Sequence, residues 1–107
     1  MLTRSAILAA NDLARKEVEV PEWGGSVYVR QFTGAELIQK VRPIVKDNPD
    51  NAEVMLVVWA CVDEDGNQLF TEADIEALEK KNGAVIQRIA AEALLFNFGP
   101  DEEAKKD

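Results

Sequence analysis

Residues 17–32, EVEVPEWGGSVYVRQF, contain two stretches that alternate polar and apolar side chains, separated by Gly24 and Gly25. Alternation with a period of two is typical of a strand with one buried face, and glycine permits the positive φ angles of tight turns. The stretch therefore predicts a β-hairpin. Helical patterns dominate the rest of the chain, so we expect an α+β fold: a small, mostly helical single domain with one β-hairpin.

Capping signals on both sides of the hairpin predict helices. Thr3 precedes a short apolar stretch, and Thr33-Gly34-Ala35-Glu36 is a capping box, in which hydroxyl and carboxylate each accept a backbone N–H. The side chains predicted to share the buried face of the second helix are Leu37, Ile38, Val41, Ile44 and Val45. Pro43 lies inside this pattern and is expected to kink the helix or end it early.

The middle of the chain leaves one assignment open. The length of residues 53–62 and the Asn51 cap favour a helix, but the valines of this segment also fit a buried strand. Trp59 lies within this most apolar segment and is expected in the core. Thr71-Glu72-Ala73-Asp74 predicts the start of a further helix, with Ile75 and Leu78 on its buried side.

A last helix is expected over residues 84–97. Asn82-Gly83 precedes it as a cap, and Gly99-Pro100 ends it, because proline cannot continue a helix. We therefore predict a folded domain over residues 1–99, followed by a disordered charged tail over residues 100–107.

The composition excludes several kinds of function. The 107 residues include 12 Lys and Arg against 20 Asp and Glu, a net charge of -8, whereas nucleic-acid binding needs a basic face. There is no histidine and a single cysteine, Cys61, which excludes His-based catalysis, Cys–His nucleophiles and Cys/His zinc sites. The apolar stretches are too short to span a bilayer. We expect no catalytic residue, metal, cofactor, nucleic acid or membrane contact.

The acidic cluster Asp63-Glu64-Asp65 partly matches a calcium-binding loop. With Gly66 at the sixth position of such a loop, the first position falls on Cys61, which does not serve as a ligand there. We interpret the cluster as a solvated turn between two elements.

The negative charge is concentrated in the middle of the chain. Residues 47–79 carry ten acidic and no basic side chains, whereas residues 1–46 and 80–100 each carry a net charge of +2. Contact between the middle of one copy and the ends of another is therefore electrostatically favoured. Self-association is expected to weaken as salt rises.

The last helix is apolar around most of its circumference, and Arg88 and Glu92 form a narrow polar stripe. Either one side faces the core and the other binds a partner, or the whole helix is buried within the monomer. Trp23, in the hairpin turn, either folds onto the core or is exposed as an anchor for a partner. The candidate partner-binding residues are Trp23, Leu94, Leu95, Phe96 and Phe98.

The chain resembles the tail assembly chaperones of long-tailed, lambda-like bacteriophages. The resemblance covers residues 1–98 and rests on four segments: PEWGGSVYVR at 21–30, TGAE at 33–36, CVDEDGNQLFT at 61–71 and DIEAL at 74–78. The order and spacing of the four segments make the resemblance more specific than any one segment does. None of the segments is a catalytic signature.

The resemblance implies a non-enzymatic assembly factor in the host cytoplasm that is absent from the mature virion. Such chaperones coat the helix-rich tape measure protein and keep it soluble until the tail tube forms around it. A longer product of programmed ribosomal frameshifting recruits the tail tube protein, and the family tends to self-associate. Ala104-Lys105-Lys106 can be encoded GCA AAA AAG, which contains a slippery heptamer.

Two alternatives from other classes stay open at this point. A structural virion component, such as a minor tail or connector subunit, is the second interpretation. A small acidic enzyme subunit is the third, which the absence of histidine disfavours.

Overall fold

A three-stranded antiparallel sheet forms one layer of the protein in a computed structural model, which describes residues 1–99. The strands are β1 (Arg15–Val20), β2 (Gly25–Arg30) and β3 (Cys61–Val62), in the order β1-β2-β3. The helices are α1 (Arg4–Ala9), α2 (Gly34–Glu36), α3 (Arg42–Asp47), α4 (Pro49–Ala60), α5 (Ile75–Leu78) and α6 (Gly83–Phe98). The expectation of a mostly helical α+β fold is confirmed. The tail predicted over residues 100–107, including the proposed slippery site, lies outside the described residues.

The predicted hairpin is confirmed as β1 and β2. Val18 lies opposite Val27 in the ladder, and a short 3₁₀ turn over Pro21–Trp23 connects the strands. Gly24 closes this turn with a φ of 80°, a conformation that L side chains rarely adopt. Gly25 needs no such freedom and begins β2.

Residues 53–62 contain a helix and a strand in succession, so each of the two open assignments holds for part of the segment. α4 continues to Ala60, and the chain then extends into β3, where Cys61 and Val62 are both buried. Val62 pairs with Tyr28 on β2. This pairing adds a third strand to the predicted hairpin.

Pro43 is accommodated by a π-helical turn over Leu37–Val41, which links α2 to α3 without a break. Proline has no N–H to bond to the carbonyl four residues earlier, and its ring clashes with that carbonyl in a regular α-helix. The wider π-helical turn removes this clash. Val41 is buried, but Ile38 is 63% exposed and Val45 is also exposed. The prediction of one shared buried face is wrong for these two side chains. An α-helix turns by about 100° per residue, which places Ile38 and Val45 at the edge of the apolar stripe rather than at its centre.

The core lies where α4 and α6 pack against each other and α6 crosses β1 and β2. Its largest fully buried side chains come from both helices, the sheet and the π-helical turn: Leu56, Ile89, Val20, Val29, Val41, Val57, Val58, Val85 and Cys61. Trp59 is half-buried against this core, with the Lys40 ammonium 5.7 Å from its ring centre. α6 therefore has one face in the core from Val85 to Ala93.

Candidate functional site

The C-terminal half of α6 presents apolar side chains at the surface. Leu94, Phe96 and Phe98 are half-buried against the core, and Leu95 is 50% exposed. The helix is therefore not wholly buried within the monomer, which favours the interpretation that leaves one side for a partner. We call Leu94, Leu95, Phe96 and Phe98 the C-terminal patch.

Both ends of α6 are held by asparagine side chains. At its start, the Asn82 side chain accepts the Ala84 N–H at 2.9 Å, as the sequence predicts. Near its end, Asn97 Oδ1 accepts the Phe32 N–H at 2.7 Å, while Asn97 Nδ2 donates to the carbonyls of Arg30 (3.1 Å) and Ala93 (2.9 Å). Asn97 thus fixes the C-terminal patch relative to the end of β2.

Arg30 forms a second anchor at the same end of the sheet. Its guanidinium makes two hydrogen bonds to the Glu36 carboxylate, at 2.8 and 2.9 Å, and its Nε donates to the Trp59 carbonyl at 2.9 Å. The Glu36 carboxylate also accepts the Thr33 N–H, so the predicted capping box is confirmed. The bonds from Arg30 and Thr33 lower the pKa of Glu36 from 4.5 to about 2.

The polar stripe of α6 connects the helix to the hairpin. Arg88 makes two hydrogen bonds to Glu22, at 3.0 and 2.6 Å, and Glu92 pairs with Lys16 at 3.1 Å. The bonds to Arg88 lower the pKa of Glu22. The stripe therefore orients α6 on the sheet, and the apolar side chains that remain at the surface lie elsewhere on the helix.

Trp23 folds partly onto the core rather than standing free. Its ring is half-buried and lines an apolar depression of about 350 Å³ together with Phe70, Leu78 and Lys81. The neighbouring Glu22 contacts Arg88, ten residues before Phe98, which corresponds to roughly 15 Å along the helix. The structure therefore does not bring Trp23 together with the C-terminal patch, and the candidate residues form two separate surfaces.

A groove between α4 and α6, which we call the α4–α6 groove, was not predicted from the sequence. It encloses about 700 Å³. Its lining combines small and apolar residues with a few polar ones: Val45, Pro49, Ala52, Glu53, Leu56, Ala84, Gln87, Arg88, Ala90, Ala91 and Leu94. The sequence gives little signal for it beyond the small side chains that line it, Ala52 on α4 and Ala84, Ala90 and Ala91 on α6.

The acidic turn is arranged around its own backbone. The Asp63 carboxylate accepts the N–H groups of Asp65 and Asn67, both at 2.9 Å. Within residues 1–99, no group of three or more Cys, Asp or Glu side chains is placed to hold a metal ion.

Burial raises the pKa of the Cys61 thiol to about 12, so the thiolate needed for nucleophilic chemistry is scarce. None of the helices in the described part is long and apolar enough to cross a membrane.

Comparisons with known proteins agree on one family. A family model described as phage tail assembly chaperone matches residues 44–106. Among solved structures, the chain is similar to the tail assembly chaperone of bacteriophage HK97, with 28% sequence identity and a TM-score of 0.61. That similarity covers 84% of this chain and 88% of the HK97 chain. No match was found among curated protein sequences.

Proposed function

The chain belongs to the phage tail assembly chaperone family, and on that premise we propose that it binds the tape measure protein and keeps it soluble during tail assembly. The observation that carries the proposal is the C-terminal patch, which leaves Leu95 half exposed on a helix whose other face is in the core. An apolar surface held in a fixed orientation is suited to a client with apolar stripes.

The client in this proposal is a long, helix-rich protein. An amphipathic helix presents apolar side chains three and four positions apart, which match the spacing of Leu94, Leu95 and Phe98 on α6. Asn97 holds the end of α6 against the end of β2, so little conformational freedom is lost when the client docks. The depression beside Trp23 is a second contact for a client that extends along the molecule.

The charge of the chain supports the same role. Residues 47–79 carry ten acidic side chains and no basic one. A chaperone with this charge remains soluble while it covers apolar surface of its client, because like-charged complexes repel one another. We propose that the acidic block helps keep the complex dispersed.

The remaining parts of the proposal follow the family. The protein acts without catalysis in the host cytoplasm and leaves before the virion is complete. It self-associates, and a longer product of frameshifting recruits the tail tube protein. Detection of the short chain in purified virions by mass spectrometry would instead favour a structural virion component.

Co-expression with the tape measure protein of the same phage tests the proposed contact. Leu95→Asp, and Leu95→Asp with Phe98→Asp, place charge on the C-terminal patch and should reduce co-purification by at least about 10-fold. Ile38→Asp is the matched control, since Ile38 is 63% exposed on a different segment and its replacement should change little. Circular dichroism verifies that each variant is folded. Undiminished co-purification of a folded Leu95→Asp variant would exclude this surface.

A further inference from the structure

Helix α1 leaves its apolar side chains uncovered. It spans Arg4–Ala9, begins with the Thr3 hydroxyl accepting the Ala6 N–H at 3.2 Å, and has no buried residue. Leu2 is 74% exposed, Ile7 55% and Leu8 67%. α1 is therefore a formed helix that leaves more than half of each of these apolar side chains exposed.

A helix of six residues is too short to be stable by itself in water. Leu2 directly precedes the capping residue Thr3, and Ile7 is the fourth residue of the helix. Side chains at these two positions lie on the same side of a helix and can contact each other. They form one apolar surface with Leu8 next to it. A surface of this kind on a short helix is stabilised only when another surface covers it.

The α4–α6 groove is long enough to hold this helix. Six helical residues extend about 9 Å, and the groove follows α6 from Ala84 to Leu94, about 15 Å. Ala52, Ala84 and Ala91 leave room for the larger side chains of a guest.

The charges are complementary as well. Residues 1–11 contain Arg4 and no acidic side chain, whereas Glu53 lines the groove and the exposed Asp47 and Asp50 lie nearby in the chain. Arg88, the basic residue in the groove, is already paired with Glu22. Docking of α1 therefore brings an apolar segment with one basic and no acidic side chain to a groove whose unpaired charge, within residues 1–99, is that of Glu53.

We propose that α1 of one copy docks in the α4–α6 groove of a second copy. The inference deepens the self-association included in the proposed function and gives it a contact. Each copy contributes one helix and one groove, and the two surfaces are different, so the contact is heterologous. The contact shares one residue, Leu94, with the C-terminal patch.

The molar mass of the full chain over a range of concentrations tests this contact. Sedimentation velocity should show association of the wild type that weakens as salt rises. Ile7→Asp with Leu8→Asp, and separately Ala91→Asp, should raise the dissociation constant at least about 10-fold. Ile38→Asp, outside the groove, should associate like the wild type. A wild type that stays monomeric, or an α1 variant that associates normally, would overturn the proposal.

Mixing the two variants gives a sharper result. The α1 variant retains its groove, and the Ala91→Asp variant retains its α1 helix. Only one helix–groove contact is then possible in the mixture, so we expect heterodimers and no larger assemblies. Failure to pair would show that the helix occupies its own groove or another surface, and the proposal would be wrong. The α1 variant should still co-purify with the tape measure protein, so loss of self-association and loss of client binding are seen separately.

Discussion

Replacement of Asn97 by alanine tests how the C-terminal patch is held in place. The side chain accepts the N–H of the buried Phe32 and donates to the carbonyls of Arg30 and Ala93. A hydrogen bond contributes about 1 kcal/mol net, and partners left buried without a bond cost more. Asn97→Ala should therefore lower the free energy of unfolding by about 2–3 kcal/mol. For a domain of this size, that corresponds to a fall in Tm of about 10–20 °C.

The assay is urea unfolding followed by the fluorescence of Trp23 and Trp59, with thermal unfolding by circular dichroism as a second readout. Gln87→Ala is the control, because Gln87 is exposed on the same helix and its loss should change stability by less than about 0.5 kcal/mol. An Asn97→Ala variant within about 0.5 kcal/mol of the wild type would refute the reasoning that Asn97 anchors α6 to the end of β2.

Two further predictions concern ionisable groups. The lowered pKa of Glu36 stabilises the folded state fully above pH 4.5, and this contribution is lost as pH falls towards 2. The shift sets an upper bound of about 3 kcal/mol, and the 26% exposure of the Glu36 side chain reduces it to about 1–2 kcal/mol. Wild type and Glu36→Gln should therefore differ by that amount at neutral pH and converge in acid; a difference independent of pH would contradict the ion pair. Cys61 is fully buried and should react with iodoacetamide only after unfolding, whereas rapid alkylation of the native protein would show that the β3 region opens.

The features that the sequence predicts correctly are local ones. The hairpin, the Thr33–Glu36 capping box and the bounds of α6 each follow from residues within a few positions of one another. The features that it misses join distant segments. Asn97 bonds to Phe32 across 65 positions, and Arg30 bonds to the Trp59 carbonyl across 29.

Partner binding by the candidate residues stays a prediction, and only part of their placement follows from local pattern. An apolar last helix indicates a surface for a partner, and the structure leaves Leu95 exposed on it. The α4–α6 groove depends on how two helices pack, which periodicity in each helix does not determine. The separation of Trp23 from the C-terminal patch likewise depends on α6 running alongside β2 from the hairpin turn to Phe32.

The decisive measurement is the soluble fraction of the tape measure protein, expressed in bacteria with and without this chain from the same phage. We expect the tape measure protein to be mostly insoluble by itself and mostly soluble, in a complex, when the chain is present. Leu95→Asp should lower that soluble fraction, and Ile38→Asp should not. A tape measure protein whose solubility and complex formation do not change with the chain would contradict the proposed chaperone function.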